Sequence, residues 1–314
     1  MSIINDFELL NIKCDCFDLI VASYAYWTKG EYRFLFSNPL GLGINDNGEP
    51  LGNKVYLNKG DIVELAKQNG IDILFYTPEY KKLRCSVNKD NPVIVELDEY
   101  NCYWRKNYHM LHKKHYVVLT NYSLSSNDYF CIDMFPNSKK LTLTHEFITS
   151  NAKGFISFAT NKTRIVKPQL QYAFFETVNK FSDSKAWEPY YTFIDEIQNC
   201  SLLDEIKGYD NVDVINVPLV WKLKNIIFSY CQFKYYMEYI DKEKTVIMVD
   251  VLNKIKQYWE IATNIIIISF FRNNYEFPRK KVNENLRKAI KEMRGFINQL
   301  SFFSNENINN NSSL

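Results

Sequence analysis

Between residues 71 and 159 the chain alternates short apolar runs with polar clusters. The runs Ile71–Tyr76, Pro92–Leu97, His115–Thr120, Tyr129–Asp133 and Gly154–Ala159 are each of strand length, broken by Asn, Asp, Gly or Lys. Two helical patterns precede them. One begins near Cys16 and stops before Gly30; the other, Lys59–Gln68, ends at Gly70, a residue suited to a C-cap. After about Lys167 the strand pattern disappears. Long amphipathic patterns follow at roughly 168–182, 186–207, 217–241, 244–273 and 280–303. In the third of these, Leu219, Leu223, Ile226, Ile227, Tyr230 and Phe233 recur at helical spacing and form one wide apolar stripe.

The patterning predicts an α+β protein with an N-terminal α/β-type domain over residues 1–165 and a helical domain over 166–303. The polar Asn/Ser tail 304–314 is expected to be disordered. With 22 Phe, 22 Tyr and 5 Trp against only 10 Gly and 9 Pro, the chain has ample material for a core and excludes a linker-rich or collagenous class. The 38 basic and 36 acidic residues leave a formal charge of +2, which argues against a phosphate-neutralising nucleic-acid binder.

The most apolar window, Ile261–Phe271, is interrupted by Thr263, Asn264 and Ser269 and is too short for a membrane span. The opening Met1–Asp6 carries no basic-then-apolar leader, so no signal peptide is expected. Seven cysteines spread along the chain make a disulfide framework unattractive, and a reducing, cytoplasmic setting is the expectation.

Chemistry concentrates at Cys14-Asp15-Cys16-Phe17-Asp18. Asp15 is a good N-cap, Asp18 gives a variant of the capping box, and Cys16 falls on the first helical position. There the helix dipole and free N–H groups favour a thiolate, whereas Asp15 and Asp18 oppose it, so a basic partner must tip the balance. His115 is the candidate. A hairpin turn centred near Leu124 would set His115 directly across the ladder from Asp133, close enough for the carboxylate to hold the imidazole. Cys16, His115 and Asp133 then form the nucleophile, base and orienter of a cysteine hydrolase or acyltransferase, in the chain order of papain-like enzymes.

Alternatives remain at this stage. Cys14, Cys16, His112 and His115 could be metal ligands, although their spacing is poor for zinc, and neither a metal nor a diffusible cofactor is expected. His109 and His112 sit in a basic, aromatic loop with Trp104, Arg105 and Lys106; His145 has no partner in sequence. Cys85, Cys131, Cys200 and Cys231 read as small core residues. Gly41-Leu42-Gly43 reads as a turn, the carboxylates of Asp98 and Glu99 as solvated loop caps, and Arg279, Lys280, Lys281 and Arg287 as a solvated helix face.

Cys16–Ser23, Glu31-Tyr32, Leu35-Phe36, Val93–Asp98, Cys102-Tyr103-Trp104, His115–Leu119 and Tyr129–Asp133 follow one another in an order that resembles the butirosin-biosynthesis H-like N-terminal domain family, over roughly residues 10–165. The resemblance implies a papain-like fold near natural-product biosynthesis. It also implies transfer of an acyl group from an acyl or peptidyl carrier-protein thioester to an amine, with Cys16 as nucleophile, His115 as base and Asp133 as orienter.

Asn11 stands five residues before the cysteine, where papain-like enzymes place an oxyanion-hole Gln about six before, so its amide is one register step off. Cys102-Tyr103-Trp104 replaces an expected Cys-Pro-Trp. Arg105, Lys106, Lys113 and Lys114 would suit an acidic carrier protein and are equally explained as solubilising charge. A non-catalytic scaffold and a simple cysteine peptidase or amidase are the competing classes.

Overall fold

The computed structural model describes residues 7–45, 49–76, 83, 87, 91–134, 139–161, 165–209 and 213–311, with side chains to 303 except those of residues 139 and 171. The protein is α+β, and the chain divides into two compact units. The first unit takes Met1–Leu35 and Asp61–Val166, the second Phe36–Gly60 and Lys167–Leu314.

The first unit is built on one antiparallel sheet and a helix. The helix α1 (Cys16–Lys29) starts where the Asp15 side chain accepts the Asp18 N–H at 2.9 Å, and it stops where Gly30 takes φ 72°. Two short strands of the second unit, β1 (Leu42–Ile44) and β2 (Val55–Leu57), come next in the chain. The sheet of the first unit consists of β3 (Ile71–Tyr76), β4 (Val93–Asp98), β5 (Lys114–Ser123), β6 (Asp128–Asp133), β7 (Lys139–Thr144) and β8 (Gly154–Thr160). Its order is β3-β8-β4-β5-β6-β7, every pairing antiparallel.

Side chains alternate across the sheet, so each strand feeds two different layers. One face carries Val93, Val95, Leu97, Val117, Leu119, Tyr129, Cys131, Leu143 and Phe155, packed with Cys102 and Ile148 of the helix His145–Asn151. The other face carries Tyr116, Phe158 and Phe75 and lies under α1. Tyr24 stacks on Phe158 at 4.0 Å, and Phe17 contacts Tyr116 at 5.5 Å and Phe75 at 6.3 Å. Leu19, Ile20, Val21 and Ala22 of α1 are fully buried, which is why this helix and sheet form one core.

The hairpin β5–β6 departs from the expected register. Its tip pairs Ser123 with Asp128, so the loop is centred past Leu124. Leu119 then pairs with Cys131 but Asn121 with Phe130, leaving Thr120 as a one-residue bulge. Continuing the ladder one step beyond Val118↔Ile132 sets Asp133 against Val117, and His115 two residues further along the same face. The pair is therefore diagonal instead of directly opposed.

The second unit is helical with the two-stranded β1–β2 ribbon. Its long helices are Pro218–Asp241, Val246–Phe271 and Arg279–Asn311. Trp259, Tyr230 and Met293 link these three in a buried chain of contacts, Nε1 to Oη at 3.2 Å and Oη to Sδ at 3.3 Å.

Residues 36–60 belong here and not with 1–165. Lys180 Nζ donates to the carbonyls of Leu40, at 2.8 Å, and Asn58, while the Gly52 N–H donates to the buried Glu205 carboxylate at 3.1 Å. The stretch Gly41-Leu42-Gly43 enters a strand instead of a turn, with Gly41 at φ 149° against the Asn58 carbonyl. The expected tail is helical to Asn311, because extending an existing helix adds a hydrogen bond per residue without a new nucleation step; residues 312–314 lie outside the described residues. Among the described residues no helix is long and apolar enough to cross a membrane.

Candidate active site

The start of β5, the end of β6 and the loop 99–113 converge at one end of the sheet in the first unit. Asp133 is wholly buried. Its Oδ2 accepts from Trp104 Nε1 at 2.5 Å and lies 3.0 Å from His115 Nε2, while Arg105 Nη1 stands 3.9 Å from Oδ1. Burial raises the Asp133 pKa, but the bond and charge of His115, the Trp104 N–H and the Arg105 guanidinium outweigh it and hold the carboxyl below its ordinary value.

An ionised Asp133 can only accept, so His115 Nε2 carries the proton between the two groups, and in a neutral ring the lone pair is then on Nδ1. The imidazole itself is buried at 1% exposure. The diagonal placement costs nothing in contact, since same-face neighbours two residues apart remain within reach of a histidine.

Cys16 sits at the first position of α1, half-buried. Burial pushes its thiol up to about 11 and Asp15 adds to this; Lys113 and Arg105 pull it down, and Asp133 pushes it up again. These two cations do not outweigh desolvation, so the thiol is neutral near pH 7. α1 lies over one face of the sheet, while His115 and Asp133 belong to the other. Thiol and imidazole are carried by opposite faces and share the end where β5 begins. Among the described residues no hydrogen bond joins Cys16 to His115.

Asn11 is exposed in the segment leading to α1. Its neighbour Leu10 donates its N–H to Ser23 Oγ at 3.0 Å, seven residues into the helix and so about 10 Å along the axis from Cys16. That tether sets Asn11 back from the thiol.

Several polar residues read differently in three dimensions. Asp98 and Glu99 are buried, not solvated, because the loop 99–113 folds back onto them. Asp98 caps Tyr100 N–H at 3.2 Å, accepts the Lys113 N–H at 3.1 Å, and meets His112 Nδ1 at 2.9 Å and Lys153 Nζ at 3.1 Å. Burial works against its charge, yet His112, Lys153 and the Tyr100 N–H hold its pKa down at about 2. Glu99 takes Arg105 Nη2 at 3.1 Å and the buried Asn107 Nδ2 at 3.1 Å. His109 and His112 stack against Tyr100 at 4.9 and 4.2 Å.

His145 does have a partner, the Tyr129 hydroxyl at 3.2 Å from Nδ1. Cys131 is buried, Cys200 and Cys231 are only half-buried, and Cys85 lies outside the described residues. His112 and His115 serve two different carboxylates, and among the described residues no group of three His, Cys, Asp or Glu side chains could hold a metal ion.

Sequence reasoning missed Trp104 as the second donor to Asp133 and Glu99 as the anchor of Arg105. An indole N–H one residue from an arginine, in a loop returning to a histidine strand, was the available signal. No family model matches the chain, and no curated protein matches it either.

Proposed function

We propose that the first unit carries a thiol-dependent acyl-transfer site with Cys16 as nucleophile, His115 as base and Asp133 as orienter. The observation that carries this reading is the buried Asp133 carboxylate 3.0 Å from His115 Nε2, at the sheet end where the α1 thiol sits. A buried carboxylate–imidazole pair is costly to maintain and leaves Nδ1 as the only basic ring atom.

In the reaction, the thiol proton reaches Nδ1 through a water at the sheet end that the two faces share, as Sγ bonds to an acyl carbonyl carbon. The Cys16 N–H, unpaired at a helix start, donates to the developing oxyanion, and the departing thiol or amine leaves with the proton from His115. An amine or water then attacks the acyl-enzyme and Cys16 leaves as the thiol. A carrier-protein thioester as donor, an amine as acceptor and a papain-like chain path are the finer parts of this proposal. A thioester suits it because its leaving thiol needs little acid assistance.

A second reading is favoured by one observation: among the described residues no hydrogen bond joins Cys16 to His115, as in a scaffold that keeps the His115–Asp133 pair without using it. A small acyl thioester of known mass separates the two. Intact-mass measurement should show one acyl adduct on Cys16, absent in Cys16→Ser and formed much more slowly in His115→Ala. Equal labelling of Cys16→Ser, or none of the native protein, would overturn the enzyme reading. Release by an added amine in preference to water then distinguishes transfer from hydrolysis.

A further inference from the structure

Trp104 and His115 address the same atom. The indole Nε1–H donates to Asp133 Oδ2 at 2.5 Å, and His115 Nε2 lies 3.0 Å from that oxygen, with both Asp133 and His115 buried. An indole N–H donates and never accepts, so the atom at the Oδ2 position must be an acceptor. The His115 ring, meeting that acceptor, must present a proton to it.

The indole is itself held in place. The Cys102 N–H donates to the Glu99 carbonyl at 3.0 Å and the Arg105 N–H to the Cys102 carbonyl at 2.8 Å, which shapes the turn carrying Trp104. The ring packs edge-on against Tyr103 at 5.0 Å and Phe147 at 5.6 Å, beside the apolar cluster on that face of the sheet. On the other carboxylate oxygen, Arg105 Nη1 stands at 3.9 Å from Oδ1, a charge contact longer than a hydrogen bond.

We propose that Trp104 is a positioning residue: by demanding an acceptor at the Oδ2 position it fixes which end of the residue 133 side chain faces His115, and with it the Nε2–H form of the ring. The purpose of that form, which leaves Nδ1 to serve as base, rests on the acyl-transfer reading. The tautomer itself is observable without turnover. In a carboxylate both oxygens accept, so the demand is hidden in the native protein. Asparagine in place of Asp133 makes the two ends different, one accepting and one donating. With Trp104 present, the carbonyl oxygen takes the Oδ2 position and His115 keeps its proton on Nε2. Without the indole, the amide turns to His115, which then accepts at Nε2 and carries its proton on Nδ1.

The test is the tautomer of the neutral His115 ring, read from long-range proton–nitrogen NMR spectra of histidine-labelled protein. Asp133→Asn alone is compared with Asp133→Asn combined with Trp104→Phe, the His115 signals being assigned by their loss in His115→Gln. The ratio of Nε2–H to Nδ1–H forms should be at least about fivefold larger where Trp104 is present. Asp133→Asn combined with Phe147→Leu loosens the same packing but keeps the donor, and should change the ratio less than Trp104→Phe does. His145, bound to the Tyr129 hydroxyl at 3.2 Å, reports in the same spectra that the fold is kept.

Equal ratios with and without Trp104, or an equal change from Phe147→Leu, overturn the proposal. If the combined Trp104 variant does not fold, Asp133→Asn decides alone: Nε2–H as the major form upholds the proposal and Nδ1–H overturns it. In the otherwise native chain, Trp104→Phe should also slow acyl-adduct formation on Cys16 severalfold. A native protein that forms no adduct overturns the acyl-transfer reading and leaves the tautomer result standing.

Discussion

Replacing Trp104 by Phe probes a polar contact whose acceptor is wholly enclosed. The indole donates at 2.5 Å to Oδ2 of an aspartate with no exposed surface. A hydrogen bond to a charged group contributes about 1.5–3 kcal/mol, and its loss leaves the buried Oδ2 without its indole donor. The ring also packs edge-on against Tyr103 at 5.0 Å and Phe147 at 5.6 Å, contacts a phenyl keeps only in part. A total cost of about 2–3 kcal/mol at pH 7 follows.

The electrostatic part depends on the Asp133 charge. A carboxyl whose folded pKa is depressed contributes stability above its unfolded value, and that contribution is lost as pH falls through the lower folded value. Urea unfolding of native, Trp104→Phe, Asp133→Asn and the double variant at pH 7 closes a cycle, and the coupling should be at least about 1 kcal/mol. The cost of Trp104→Phe should also shrink below about pH 4. A coupling near zero, or a cost independent of pH, would refute the account of Asp133 as an ionised acceptor.

Three further outcomes can be checked. Burial raises the Glu205 pKa to about 7, so the folded state holds a proton the unfolded chain has released, and stability should fall between about pH 4.5 and 7; Glu205→Gln should abolish that slope and gain about 2–3 kcal/mol at pH 8 in thermal or urea melts. Gly52→Ala would drive its Cβ to within 2.2 Å of the Leu219 backbone nitrogen, which cannot yield as a side chain could, and should cost about 2–3 kcal/mol by the same melts. Asp98→Asn keeps an oxygen for the Tyr100 and Lys113 N–H groups but loses its charge. Because His112 and Lys153 are largely exposed, about 1 kcal/mol should be lost at pH 7, with the difference disappearing as pH falls from about 4 toward 2.

Strands β3, β4, β5, β6 and β8 were legible because their apolar runs are dense. The edge strand β7 was not: Lys139-Lys140-Leu141-Thr142-Leu143-Thr144 has the polar spacing that protects a sheet edge, and such spacing reads as loop. Residues 36–60 were assigned by nearness in the chain, whereas their partners Lys180 and Glu205 lie more than a hundred residues away. The contact of His115 with Asp133 followed from side-chain alternation alone, since an error of two residues preserves the face. The burial that raises the Cys16 pKa was not legible, because N-cap chemistry announces a helix start but not how much protein closes over it.

The bulge at Thr120 gives the hairpin an uneven tolerance to insertion and deletion. Both Tyr122–Tyr129 near the tip and His115–Asp133 at the other end depend on facing the same layer. Loss of Thr120 alone would exchange inside for outside along one of these stretches. Changes of loop length beyond Ser123 and Asp128 would leave both pairs in place. Lineages or designed libraries that keep this hairpin should accordingly vary freely in the connection 124–126, and between there and His115 accept compensated length changes but not solitary ones.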